Sequence, residues 1–294
     1  MAVASGVLPQ TLVKSRMDRR RSFVDRFFRG LCLVAAVVAI VPLFAVISFV
    51  VVNGISALSI DLLTKAPKAA GIGGGALASI LGSLQLVGLA TIIAVPFGVL
   101  AAVYTSEFGD RRSAAIIRFA ADVMVGIPSI LMGIFVFTFL VLPFRQFNAF
   151  AGSVALALLM VPIIMRTTEE IIRLVPSSLR EASLALGVPA WRTVLSIVLR
   201  TGLGGILTGI MLAVARAFGE TAPLLFTALG SRLVNIGSFD RPMDSLPLFV
   251  YTNARQPIKA LNEQAWGAAL LLLLFVLTIN ILVRARTVSR GRAR

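Results

Sequence analysis

The sequence contains no histidine and a single cysteine, Cys32. That excludes a disulfide framework and a Cys/His metal site. Charge is scarce as well: 14% of the 294 residues are Asp, Glu, Lys or Arg, and the 13 acidic residues face 28 basic ones. The acidic residues do not cluster, so the usual ingredients of a membrane enzyme are missing. No Gly-x-x-x-x-Gly-Lys-Ser/Thr phosphate loop occurs, so the chain carries no sign of its own nucleotide motor.

What the chain has instead is apolar length, with 58% hydrophobic residues in long runs. Six runs approach or exceed the roughly 20 residues needed to cross a bilayer core. They lie at about 31–52, 76–104, 119–142, 147–165, 201–227 and 264–283. Backbone groups in lipid must be satisfied within the segment, so each run is expected to be a helix. Pro96, Pro128 and Pro162 fall inside three of them and mark kinks. The expected fold class is an all-α membrane protein with six transmembrane helices. Cys32, at the start of the first run, reads as a small lipid- or helix-facing residue.

A net charge of +15 on a soluble protein would suggest nucleic acid. Here most Lys and Arg lie in the N-terminal segment, in the second and fourth connections and in the C-terminal tail. The positive-inside rule then places both termini in the cytoplasm, with lipid and not nucleic acid as the surroundings. Residues 1–30 form a basic cytoplasmic extension, of which 1–15 read as unstructured; 31–283 form the membrane domain; 284–294 form a basic tail. The first apolar run is too long for a cleaved signal and reads as a retained helix. Outside, residues 71–75 (Gly-Ile-Gly-Gly-Gly) read as a plain linker. The largest outer loop, 228–263, holds a segment at 246–251 that suits a short interfacial or re-entrant helix.

Two stretches carry chemistry. The first is the cytoplasmic loop 166–200. Ser178-x-x-Glu181 has capping-box spacing, which predicts a short helix over about 179–186. Gly187 supplies the left-handed position that ends it, Pro189 can open the next helix, and Trp191 gives an apolar anchor. The second is the fifth run, with Arg216 and Glu220 four residues apart and therefore on one helix face. Ionisable residues within a span default to function. Arg216 suits an oxyanion, with Glu220 holding it or gating; a structural salt bridge is the alternative. Glycines at 202, 204, 205, 209 and 219 allow close helix approach, so this span is expected to be central. Asp122, near the inner end of the third run, is expected to pair with Arg118 or reach the interface.

The loop spacing Glu181-Ala182-Ser183, three residues, Gly187, nine residues, Ile197-x-Leu199 resembles the coupling loop of ABC-importer permeases. Ser183 stands where that pattern has a second Ala, and Arg200 where it has Pro. Residues 213–224 (Ala-Val-Ala-Arg-Ala-Phe-Gly-Glu-Thr-Ala-Pro-Leu), 122–130 and 94–104 resemble phosphate-specific ABC permeases. Residues 246–251 are more similar to the A-type than to the C-type permease. The resemblance covers about 31–283. It implies a type I ABC importer permease fold in a bacterial or archaeal cytoplasmic membrane, and transport of inorganic phosphate with no catalysis in this chain. It implies a C-type permease as heterodimer partner, an extracytoplasmic phosphate-binding protein, and an ABC ATPase dimer that binds ATP and magnesium. Glu181, Ala182, Ser183, Gly187, Ile197 and Leu199 would meet the ATPase, and Arg216 and Glu220 would line the substrate path. A permease for sulfate or molybdate, or an ion-coupled secondary carrier, are the other readings. No internal repeat of the kind carriers often show is present.

Overall fold

The computed structural model describes residues 16–68 and 73–291, with side chains described over 21–68 and 73–281. The expected unstructured stretch 1–15 lies outside these. The chain divides into two compact units, Met1–Val51 and Val52–Arg294. The described part of the first is helix α1, Arg16–Ala57, which continues into the second unit and runs unbroken through the boundary placed at residue 30. Its apolar stretch is wholly exposed in the isolated chain, which calls for lipid or a partner around it.

In the second unit, α2 (Ile60–Thr64) precedes α3 (Leu77–Val103), which closes in a π-helical turn, Tyr104–Phe108. Then come α4 (Arg111–Gly126), α5 (Ser129–Val136) with a π turn at Phe137–Val141, and α6 (Ala149–Leu174). A loop carrying α7 (Ser177–Ala185) and α8 (Ala190–Thr193) leads through a third π turn, Val194–Val198, into α9 (Leu199–Gly219). The chain ends in α10 (Ala222–Thr227), α11 (Leu246–Ala254) and α12 (Lys259–Gly291). Among the described residues five helices are long and apolar enough to span a membrane, or six if α4 and α5 count as one. That pair corrects the expected third span. Ile127-Pro128 does not kink one helix but separates two, bent by 105°, because proline disfavours helical geometry in the residue before it.

The core forms where α3, α6 and α9 meet. Leu86, Ala90 and Ala94 of α3 face Leu156, Met160 and Ile164 of α6, with Ala213, Ala217 and Phe218 of α9 and Leu224 of α10. The spacing of four puts each set on one helix face. Alanine dominates because helices in lipid associate by close packing and not by escape from water. The most enclosed span is α6: 67% of its apolar stretch is buried, against 33% for α9. The fifth span shares the core, as expected, but α6 and not α9 is its most enclosed member. Its Gly202, Gly205 and Gly209 close onto Ile171 and Thr167 of α6, and its opposite face is open.

Of the expected linker 71–75, residues 71 and 72 lie outside the described residues, and Gly75 is closely packed. A side chain at Gly75 would collide with the carbonyls of Leu62 and Lys65, 2.7 Å away. Only glycine lets the strand-like segment before α3 lie on α2. The segment at 246–251 forms a short helix as expected, α11, which buries Leu246, Pro247, Leu248 and Phe249 within the unit.

Candidate functional site

Helix α9 ends at Gly219, and Glu220 adopts an extended backbone (φ −77°, ψ 124°) before α10 begins with Pro223 in its first turn. The expected continuous span 201–227 is thus broken at Glu220. Arg216 lies in the last turn of α9, where a cation complements the helix dipole. Its Nε donates to Glu220 Oε1 at 3.5 Å, with the arginine side chain 53% exposed and the glutamate 16%. No other hydrogen bond of that guanidinium is found among the described residues, so most of its donors are unused. Phe218 meets Phe275 of α12 edge-on at 4.8 Å and fixes the end of α9 that presents the pair.

At the other end of α9 lies the loop. Its helix starts at Ser177, not 179, so Ser178 and Glu181 do not form the expected capping box; Pro176 occupies the cap position without a side-chain bond. The C-terminus is as expected. Gly187 has φ +77°, its N–H donates to Leu184 O at 2.9 Å, and Val188 N–H donates to Ser183 O at 3.2 Å. This is the paired bonding of a Schellman motif. Ser183 is buried, and its hydroxyl shares a 2.8 Å hydrogen bond with Thr193. The departure from alanine at this position is matched by a partner ten residues on. Glu181 and Ala182 are exposed, while Ile197 and Leu199 are half-buried. Leu184, Leu186 and Trp191 stand exposed around them, an apolar patch that suits a protein partner.

The same end of the bundle holds charges that sequence reasoning missed. Glu169, on α6, is buried and accepts from Arg118 Nε of α4 at 2.5 Å and from Arg173 at 2.7 Å, with Arg166 at 3.6 Å. A buried carboxylate needs such partners. The spacing Arg166, Glu169, Arg173 was the available signal. Asp122 pairs with Arg166, not Arg118, because Arg118 is taken by Glu169 and by Thr105 O. Arg180 of α7 makes a two-pronged contact with Glu107, through Nε at 3.1 Å and Nη2 at 2.8 Å, and also donates to Val175 O and Ile172 O. Asp110 caps α4, and its hydrogen bonds from Ser113 and Arg112 hold its carboxyl below the usual range. Among the described residues no group of three His, Cys, Asp or Glu stands close enough to hold a metal ion.

At the opposite end of α3, Asp244 lines a pocket of about 300 Å³ with Lys68, Arg232, Asn253, Gln256 and Gln264. Ser79 Oγ donates to its carboxylate at 2.5 Å. Ser83 accepts from Leu246 N–H at 2.8 Å, and Gln85 binds both Asn235 O and Gly237 N–H. These bonds pin the loop before α11 to α3. Burial pushes the Asp244 carboxyl up to about 6. The neutral acid is therefore favoured in the folded state, so this anchor is strongest below about pH 4 and weakens as pH rises through 6, by roughly 3 kcal/mol at most. The thermal midpoint of the wild type, relative to Asp244→Asn, is expected to fall between pH 4 and pH 7. A constant difference across that range would contradict the buried-acid account.

Comparison with known proteins agrees with this architecture. The family described as "Binding-protein-dependent transport system inner membrane component" matches residues 94–286. The phosphate transport system permease protein PstA of Haemophilus influenzae is 41% identical over 261 residues, 88% of this chain and 92% of that protein. Its Yersinia pestis counterpart is 40% identical, covering 93% and 94%. PstA 1 of Mycobacterium tuberculosis is 45% identical over 210 residues, 71% of this chain and 68% of that protein. In fold, a bacterial alginate ABC transporter chain superposes with a TM-score of 0.61 at 14% identity, covering 92% of this chain and 96% of its own. A chain of the MetNI methionine ABC transporter does so at 0.56 and 18%, covering 73% and 94%. The chain belongs to the binding-protein-dependent transport system inner membrane components and, within them, to the PstA-type permeases.

Proposed function

We propose that this chain is the transmembrane permease subunit of an ATP-driven importer of inorganic phosphate. The observation that carries the reading is its identity of about two residues in five with phosphate permeases along most of its length. The local chemistry supports it. Arg216 presents a planar donor fork of the kind that binds phosphate oxygens bidentately, and it does so from an exposed position beside a single loosely held carboxylate. Glu220 balances the guanidinium when the path is empty. An arriving phosphate takes over the free donors of Arg216 and is repelled by Glu220, so it is held without being trapped.

The remaining parts of the machine are supplied by other chains. A C-type permease packs against the open face of α9 and completes the path, and an extracytoplasmic phosphate-binding protein delivers the anion. An ATPase dimer, carrying ATP and magnesium, docks on loop 166–200 through Glu181, Ala182, Ser183, Gly187, Ile197, Leu199 and the exposed leucines around them. Both termini lie in the cytoplasm, in agreement with the distribution of Arg and Lys. This chain does no chemistry; it alternates access while the ATPase hydrolyses.

The test is uptake of labelled phosphate in cells lacking this chain and retaining its partners. Complementation by the wild type is expected to restore uptake that excess sulfate does not reduce. Strong competition by sulfate would move the assignment to another oxyanion, and no restoration would end the phosphate reading.

A further inference from the structure

Among the described residues, Arg180 is the side chain whose hydrogen bonds join α7 both to the end of α6 and to the turn between α3 and α4. Its guanidinium grips Glu107 with two nitrogens at 2.8 and 3.1 Å, and it donates to the carbonyls of Ile172 and Val175 at 2.8 and 2.6 Å. The two carbonyls lie at the C-terminus of α6; Ile172 O also accepts from Val175 N–H at 3.2 Å, so Arg180 adds a second bond to that last turn. Glu107 lies in the π turn that closes α3. Arg118 of α4 donates to Thr105 O of that turn at 2.7 Å, so the turn is clamped from both sides. Arg180 and Glu107 are 22% and 14% exposed, sheltered enough to interact more strongly than a surface pair.

The backbone alone would not connect these elements firmly. Helix α7 is attached to α6 through Val175-Pro176 and could pivot there. The π turn is a helical irregularity of a kind often placed at functional sites, and a turn with one surplus residue can shift register when pulled. We infer that the Arg180–Glu107 pair is the strut that carries displacement of α7 into the inner ends of α3 and α4. The pair is a positioning device and touches neither phosphate nor ATPase. The inference rests on the reading of loop 166–200 as the ATPase dock and names which internal contact transmits the force.

The experiment uses the complete complex with its partner permease and ATPase, in a Cys32→Ser background, with spin labels at Leu100 of α3 and Leu212 of α9. Both positions are exposed. Trapping ATP with magnesium and vanadate is expected to change the label distance in the otherwise unsubstituted protein. Glu107→Gln keeps the size and an acceptor oxygen but loses the charge; Arg180→Lys keeps the charge but loses the fork. In both, the nucleotide-driven distance change is expected to shrink by at least about half, and phosphate moved per ATP to fall by about tenfold. Subunit stoichiometry and basal ATP hydrolysis should be unchanged. A full distance change in both variants overturns the strut, as does the absence of any change in the unsubstituted protein. Loss of the ATPase from both variant complexes also overturns it, since the pair would then only shape the docking surface. The distance readout does not depend on which anion is carried, so failure of phosphate uptake in wild type would sink the substrate assignment and leave the strut judged on its own.

Discussion

Replacing Arg216 with alanine is expected to abolish phosphate uptake while the importer stays assembled. The size of the effect follows from what an anion loses on leaving water. A phosphate in a protein path needs charge-assisted hydrogen bonds worth about 1.5–3 kcal/mol each, so losing both bonds of a bidentate arginine amounts to at least a hundredfold at roughly 1.4 kcal/mol per decade. Assembly should survive because the side chain is 53% exposed and its one bond among the described residues, to Glu220, is long at 3.5 Å. Helix α9 is held by other means: the glycine face against α6 and Phe218 against Phe275. Arg216→Lys should retain part of the uptake, because an ammonium keeps the charge but not the fork. Co-purification of the partner subunits with each variant, alongside labelled-phosphate uptake, checks this. If Arg216→Ala breaks the complex apart, the Arg216–Glu220 pair is a structural lock and its role in the path is lost.

The spans were legible because length and hydropathy alone identify segments that must be helical in lipid. Irregularities inside them were not. Pro128 announced a disturbance, but whether a helix bends slightly or reverses by 105° depends on what the second half packs against. Here Gly133 of α5 lies against the backbone of Pro223 in α10, so closely that an added Cβ would stand 2.6 Å from Pro223 Cα, and α5 is directed by a residue ninety positions away. The same limit hid the ion pairs. Arg216 and Glu220 were found because they are four apart within one apolar run, whereas Glu107 and Arg180 are separated by 73 positions and no local pattern joins them. Capping shows the converse failure. Ser178-x-x-Glu181 had suitable spacing, yet the helix begins at Ser177, because Pro176 fixes the backbone one step earlier. Gly187 was read correctly since a left-handed terminus is a local backbone demand. The pairing of Ser183 with Thr193 required the loop to fold before it existed.

Gly187→Asp is the second large effect, and its physics separates folding from coupling. Gly187 has φ +77°, and a Cβ built there meets nothing within 4 Å. The substitution therefore costs only the backbone penalty of a side chain in left-handed geometry, about 1 kcal/mol and less for Asp than for most residues. The Schellman bonds from Gly187 and Val188 use backbone atoms and survive. What changes is the surface. A carboxylate appears beside exposed Leu186, within the patch assigned to the ATPase. Burying an unpaired charge in an interface costs several kcal/mol, enough to lower docking by a factor of a hundred or more at about 1.4 kcal/mol per decade. The variant is expected in the membrane at wild-type level, with phosphate uptake lost and the ATPase no longer co-purifying in stoichiometric amounts. Gly187→Ala pays the same backbone penalty without the charge and should retain most uptake. Equal loss in both variants would trace the effect to the turn geometry, and normal uptake in Gly187→Asp would remove loop 166–200 from the interface altogether.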